Sequence, residues 1–193
     1  MHFTPAFERA VAHAMIYEVG AHFNPADKDT IAGLIDTRER RKKSGYVNDP
    51  VDAGGETKYG VAKSGNPKTD ITNLTWAEAK QIYFDKYWIA GGCHLLEPRT
   101  AILHFDGCVN HGVGRASKFL QEVIGAGQDG QVGPNTAKLA NAMNERDVCR
   151  LLANRREKFY RDIVAARPSQ ARFINGWMRR INEMRDFVQG PLA

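Results

Sequence analysis

What the chain has little of narrows its options first. Cysteine occurs only at 93, 108 and 149. An odd count at such wide spacing argues against a disulfide framework or a zinc ribbon, and the three read as reduced, buried small hydrophobes. No apolar run reaches the roughly eighteen residues of a membrane-spanning helix. The N-terminal "MHFTPAFERAVAHAMIYEVG" has His, Glu and Arg where a secretory leader needs a basic start and an unbroken apolar stretch. Synthesis in the cytoplasm is therefore expected, with outside help for any export. No Ser or Cys stands in a nucleophile elbow, and neither Gly-x-Gly-x-x-Gly nor a P-loop occurs, so covalent acyl chemistry and phosphate binding recede. His104 and His111 are at i and i+7 with no further ligand at metal spacing, so neither a metal nor a cofactor is expected. Internal repeats and low-complexity tracts are missing too.

What is present describes an ordinary globular chain. Its 193 residues, 42% hydrophobic and 25% charged, suit one domain with a sizeable core. A net charge of +5 favours a polyanionic partner: nucleic acid, an acidic wall polymer or a membrane surface. The run "RERRKK" has no recognition motif behind it, so nucleic acid is not the expected partner.

Phe7, Ala10, Val11, Ala14 and Met15 recur at helical spacing, which predicts a helix over about 5–20 with Thr4 as N-cap before Pro5. Residues 21–44 read as a surface insertion. "YVNDPVDAGGETKYGV" reads as a small hairpin, with Tyr46/Val47 and Tyr59/Val61 as short strands on either side of a Gly54-Gly55 turn. Thr75 and Glu78 form a capping-box signature opening a helix to about Trp88. Further helices are expected at about 98–111, 115–124, 134–143, 145–166 and 168–187. The fold class is mainly α with a small β-hairpin in the N-terminal third and a helical bundle behind it.

Glu18 carries the most chemical information. It lies about three turns on from Phe7, which returns its carboxylate to the edge of the buried face. Burial raises a carboxyl pKa, which suits a general acid; a helix-end Glu paired with an Arg is the equal alternative. Asp49 and Asp52 supply partly exposed carboxylates, or else plain Asx-turns, and Thr57 and Tyr59 add hydroxyls. One protonated and one ionised carboxylate is the equipment of glycosidic cleavage. Asp106 and Asn110 share a helical face, suited to sugar hydroxyls and acetamido groups or to satisfying core donors. In the C-terminal "NRREKFYRDIVAARPSQARFINGWMRRINEMRDF" most aromatics fall at core spacing, with the arginines as a solvated rim; contact with an anionic outer-membrane surface is the sharper alternative.

The strings "YEVG", "GYVNDPVDAGGETKYGV", "LTWAEAKQIYFDKYW", "HFDGCVNHGVGRASKFLQ" and "DGQVGPNTA" resemble phage and prophage endolysins of the N-acetylmuramidase family. The resemblance implies a lysozyme-like α+β fold and a single domain over 1–193. Within it 1–97 would form the glycoside hydrolase region and 98–193 a helical peptidoglycan-binding region. It implies hydrolysis of the β-1,4 bond between N-acetylmuramic acid and N-acetylglucosamine of bacterial peptidoglycan by a monomer that needs no cofactor. A lytic transglycosylase or a non-catalytic wall-binding module are the alternatives. Family members carry the catalytic glutamate in Glu-Gly-Gly-Tyr, a unit split here by residues 21–44. Glu18 matches by its place at the end of the first helix. Its rival Glu39 lies among five basic residues, Arg38, Arg40, Arg41, Lys42 and Lys43, which would lower its pKa. By the same resemblance Asp52 is the second carboxylate, with Asp49 close by, and Thr57 positions water. Gly54, Gly55, Tyr59, Asp106 and Asn110 line the substrate site.

Overall fold

Thr4 accepts a hydrogen bond from the Phe7 amide (3.3 Å), and Pro5 supplies a first helical residue that needs no donor. From this start α1 runs Pro5–Glu18, as the spacing predicts. The computed structural model describes residues 3–18, 46–48 and 55–191. The 21–44 segment lies outside them.

The β structure is small and differs from expectation in its turn and its pairing. Strands β1 (Thr57–Lys58) and β2 (Val61–Ala62) pair antiparallel, Thr57 opposite Ala62 and Lys58 opposite Val61. The turn between them is Tyr59-Gly60, with φ of 52° and 71°, the two left-handed residues of a type I′ hairpin turn. Tyr59 is thus a turn residue and not the expected strand residue. Val47, expected to face Tyr59/Val61, pairs instead with Thr57 in a single bridge, the two exchanging amide–carbonyl bonds of 2.9 and 2.8 Å.

Thr75 and Glu78 complete the foreseen capping box. Helix α2 (Trp76–Tyr83) continues as wider π turns over Phe84–Ile89. After a 3-10 turn (Cys93–Leu95) come α3 (Pro98–His111), α4 (Val113–Val123), α5 (Pro134–Asn141) and α6 (Glu145–Ala166). A 3-10 segment (Pro168–Phe173) then leads to α7 (Ile174–Gln189), so the helix expected from 168 begins six residues later.

The chain folds as two compact units. The smaller is Val11–Phe84; the larger joins Met1–Ala10 to Asp85–Ala193. In the smaller, Met15, Tyr59, Ile71, Leu74 and Tyr83 are buried. The larger is built on α3, which packs on α4, α6 and α7, and on an aromatic cluster in which the Phe7 ring meets Trp88 at 5.5 Å and Phe105 at 5.9 Å. Two arginines expected on a solvated rim, Arg156 and Arg180, are buried instead. Phe173 reverses the other way, at 42% exposed. Among the described residues no helix is long and apolar enough to cross a membrane.

Candidate active site

Glu18 is the last residue of α1, half-buried in the smaller unit. The hairpin turn comes down directly on it. A Cβ added to Gly60 would stand 2.9 Å from Glu18 Cβ, 3.3 Å from its Cγ and 2.5 Å from Tyr83 Oη. Only a hydrogen fits there, and the positive φ asks for glycine as well. Tyr83 Oη in turn donates to the Tyr59 carbonyl (3.0 Å), tying α2 to the same turn. Tyr59 pays for its left-handed backbone by burying its ring completely against Trp76, centroids 5.6 Å apart. Its expected role toward substrate gives way to a role inside the turn.

Thr57 begins β1, and its hydroxyl donates to Gly55 O (3.2 Å), which leaves its oxygen free to accept. Gly55 has a φ of +67° and, among the described residues, only Lys63 Cβ, at 3.9 Å, near the place a side chain would take. Glu56 accepts from Tyr46 Oη (2.8 Å) and Thr72 Oγ1 (2.5 Å), so this acid is a brace for the hairpin base. Lys58, 3% exposed, donates from Nζ to Thr72 O (2.7 Å). Glu18, Gly55, Thr57, Tyr59 and Gly60 therefore belong to one small unit. Asp49, Asp52, Gly54 and Glu39 lie outside the described residues.

Asp106 and Asn110, expected at a cleft edge, are turned into the larger unit. Asp106 is 2% exposed; Arg156 Nη2 reaches its Oδ2 at 2.6 Å, and Arg180 Nε and Nη2 reach its Oδ1 at 3.1 and 2.9 Å. Burial alone would raise its pKa, but the two guanidiniums outweigh this and hold it far below the usual carboxylate range. Both oxygens are taken, so this carboxylate serves the core in place of a sugar. Asn110 Nδ2 donates to Tyr160 Oη (2.9 Å), which lies 3.4 Å from His111 Nε2. No sequence signal marked this network, because its arginines come from α6 and α7, far along the chain.

Sequence reasoning missed the grouping of Cys93, His104 and Cys108, whose ligating atoms lie within 4.8 Å of one another, all buried. His104 Nε2 is 2.9 Å from Gly91 O and 3.5 Å from Cys108 Sγ. These are the described residues that could hold a soft cation. The visible hint was the i, i+4 spacing of His104 and Cys108 on α3. All three cysteines are free and buried, as expected.

Mostly helical among the described residues, with a small antiparallel hairpin whose turn packs on the stem of a glutamate at a helix end, the chain has the lysozyme-like α+β fold. Residues 40–112 match the model of glycosyl hydrolase 108, and residues 115–182 that of the predicted peptidoglycan domain. The glycosyl hydrolase 108 match thus covers residues 40–112, and the predicted peptidoglycan domain match follows it in the same chain. The junction falls at Gly112, the left-handed break between α3 and α4. Glu18 lies ahead of the matched span. The solved structure of Brucella abortus SagA is similar, at 26% identity and a TM-score of 0.63 over 75% of this chain and 85% of that one. No curated protein matches the chain. The two family matches together support a glycoside hydrolase acting on peptidoglycan.

Proposed function

We propose that the protein is a muramidase that hydrolyses the β-1,4 bond between N-acetylmuramic acid and N-acetylglucosamine, with Glu18 as general acid. The observation that carries this is the seating of the Tyr59-Gly60 turn on Glu18. Glu18 is half-buried at a helix end, with its Cβ and Cγ against a hairpin turn that the Tyr83 hydroxyl braces, so its stem has little room to move. Such a group keeps its proton more readily and can deliver it to the leaving glycosidic oxygen. Thr57 retains acceptor capacity to orient a water, and Asp52, as the second carboxylate, activates that water or stabilises the oxocarbenium-like centre. The protein then acts as a monomeric endolysin, made in the host cytoplasm and released onto the wall.

Glu18→Gln keeps the shape and removes the proton. It should lower release of reducing muramic acid ends from purified peptidoglycan by about 10²- to 10⁴-fold, the usual worth of a general acid, with unfolding temperature unchanged. Glu39→Gln should cleave like the parent. A fully active Glu18→Gln protein would refute the assignment. Products ending in anhydromuramic acid, read by mass spectrometry, would replace hydrolysis with transglycosylation.

A further inference from the structure

The larger unit holds an open cavity of about 630 Å³, remote in sequence from the Glu18 hairpin and serving none of the chemistry above. One wall is α4, which presents Arg115, Lys118 and Glu122 at i, i+3 and i+7 on a single face. The facing rim is the loop carrying Asp129 and Gly130, and a buried clamp fixes it. Gln121, 1% exposed, donates from Nε2 to Asp129 Oδ1 (2.6 Å) and Gln131 O (3.0 Å), and its Oε1 accepts from Gly130 N (2.9 Å). Gly130, at φ +81°, lies so close to α4 that a Cβ would come within 3.2 Å of Gly114 O. The rim is therefore built in and does not depend on a ligand to form.

The charges in this cavity are not balanced internally. Arg155 is spoken for: its Nε meets Glu122 Oε2 at 2.7 Å and its guanidinium covers the Phe119 ring at 4.2 Å. Arg115 and Lys118 are exposed and have no ion-pair partner among the described residues; Arg115 only overhangs the Phe159 ring at 5.1 Å. Asp129 stays ionised, its pKa lowered by the bonds from Gln121 and the Gln131 amide. The cavity thus offers two unengaged cations opposite one fixed carboxylate.

We propose that this cavity binds the peptide stem of peptidoglycan, with stem carboxylates on Arg115 and Lys118 and a stem amine on Asp129. The proposal rests on peptidoglycan being the partner, and the cavity lies almost wholly within the predicted peptidoglycan domain. A zwitterionic short peptide complements such a charge pattern, and bidentate or paired cations favour carboxylates. The glycan is the poorer fit. Sugars stack on open aromatic faces, whereas Phe119 is 5% exposed and already capped by Arg155.

The test is calorimetric titration of the full-length Glu18→Gln chain, which binds without cleaving, with a soluble disaccharide-tetrapeptide and with the same disaccharide stripped of its peptide. The peptide-bearing ligand should bind at least about tenfold more tightly than the stripped disaccharide. Arg115→Glu/Lys118→Glu should weaken it at least about tenfold. Lys138→Glu/Arg167→Glu, an equal charge change at exposed sites outside the cavity, should bind like the parent. Equal binding of the stripped disaccharide, or parental binding by the cavity double variant, overturns the proposal. Release of reducing ends by the unmutated chain is scored separately. Hydrolysis without stem binding removes this site alone, and stem binding without hydrolysis removes the muramidase.

Discussion

Glycine at 60 answers a different need from glycine at 55, and the difference can be measured. Both have positive φ, which costs an alanine about 1–2 kcal/mol. At Gly55 the added methyl meets nothing closer than 3.9 Å among the described residues, so Gly55→Ala should carry little beyond that strain. At Gly60 the same methyl strikes Tyr83 Oη and Glu18 Cβ, and one of them must move. Gly60→Ala should therefore be the less stable variant in thermal unfolding. Its wall hydrolysis should also fall by about 10²-fold, the effect of displacing a catalytic group by about 1 Å. Equal turnover in the two alanine variants would show that the turn does not position Glu18. The place of Glu18, half-buried at the end of α1, was legible, because helical phase alone brings it to the edge of the buried face. Gly60 was not, since its demand comes from atoms on α1 and α2 that the local string "KYGV" does not reveal.

Helices were the most legible elements, because their caps and apolar periods are local. Thr4, Thr75 and Glu78 do in the structure what their positions promised. What joins the helices was hidden. Asp106 on α3 draws Arg156 from α6 and Arg180 from α7, and a sequence pattern cannot tell an inward arginine from a rim one. The same helix ends in His111, packed among Phe119, Phe159 and Tyr160. Burial lowers its pKa to about 3, helped by Arg156, Arg180 and Arg115 and opposed by Asp106. Tyr160 Oη already accepts from Asn110, so its proton is available to a neutral His111 Nε2. In the unfolded chain this imidazole titrates near the ordinary histidine value of 6.5. The unfolded state then binds more protons between pH 6.5 and about 3, so the contribution is complete above 6.5 and is lost as pH falls toward 3. The slope is at most about 1.4 kcal/mol per pH unit. Asp106, also depressed, adds its loss only below the ordinary carboxylate value of 3.8. Urea midpoints of His111→Phe should therefore flatten between about pH 6 and 4 relative to the parent and still drop below that. A variant with the parental slope in the upper window would assign that acid lability elsewhere.

At the scale of the molecule, the division into Val11–Phe84 and the remainder could not be read from the chain, because the larger unit is discontinuous: it takes the first residues of α1 and everything from Asp85 onward. Composition and net charge, by contrast, needed no structure. A surplus of five positive charges acts over the Debye length, which shrinks from about 30 Å at 0.01 M salt to about 8 Å at 0.15 M. Long-range attraction to an anionic wall should weaken over that range, whereas the short-range proton delivery proposed for Glu18 should not. Sedimentation of the Glu18→Gln chain with isolated walls should accordingly show binding falling steeply as salt rises. Turnover of an uncharged N-acetylated glycan oligomer by the unmutated chain should stay nearly flat over the same series. Binding to walls that ignores salt would mean that the basic surface is not what brings the protein to the wall, and that the cations engaged there are few.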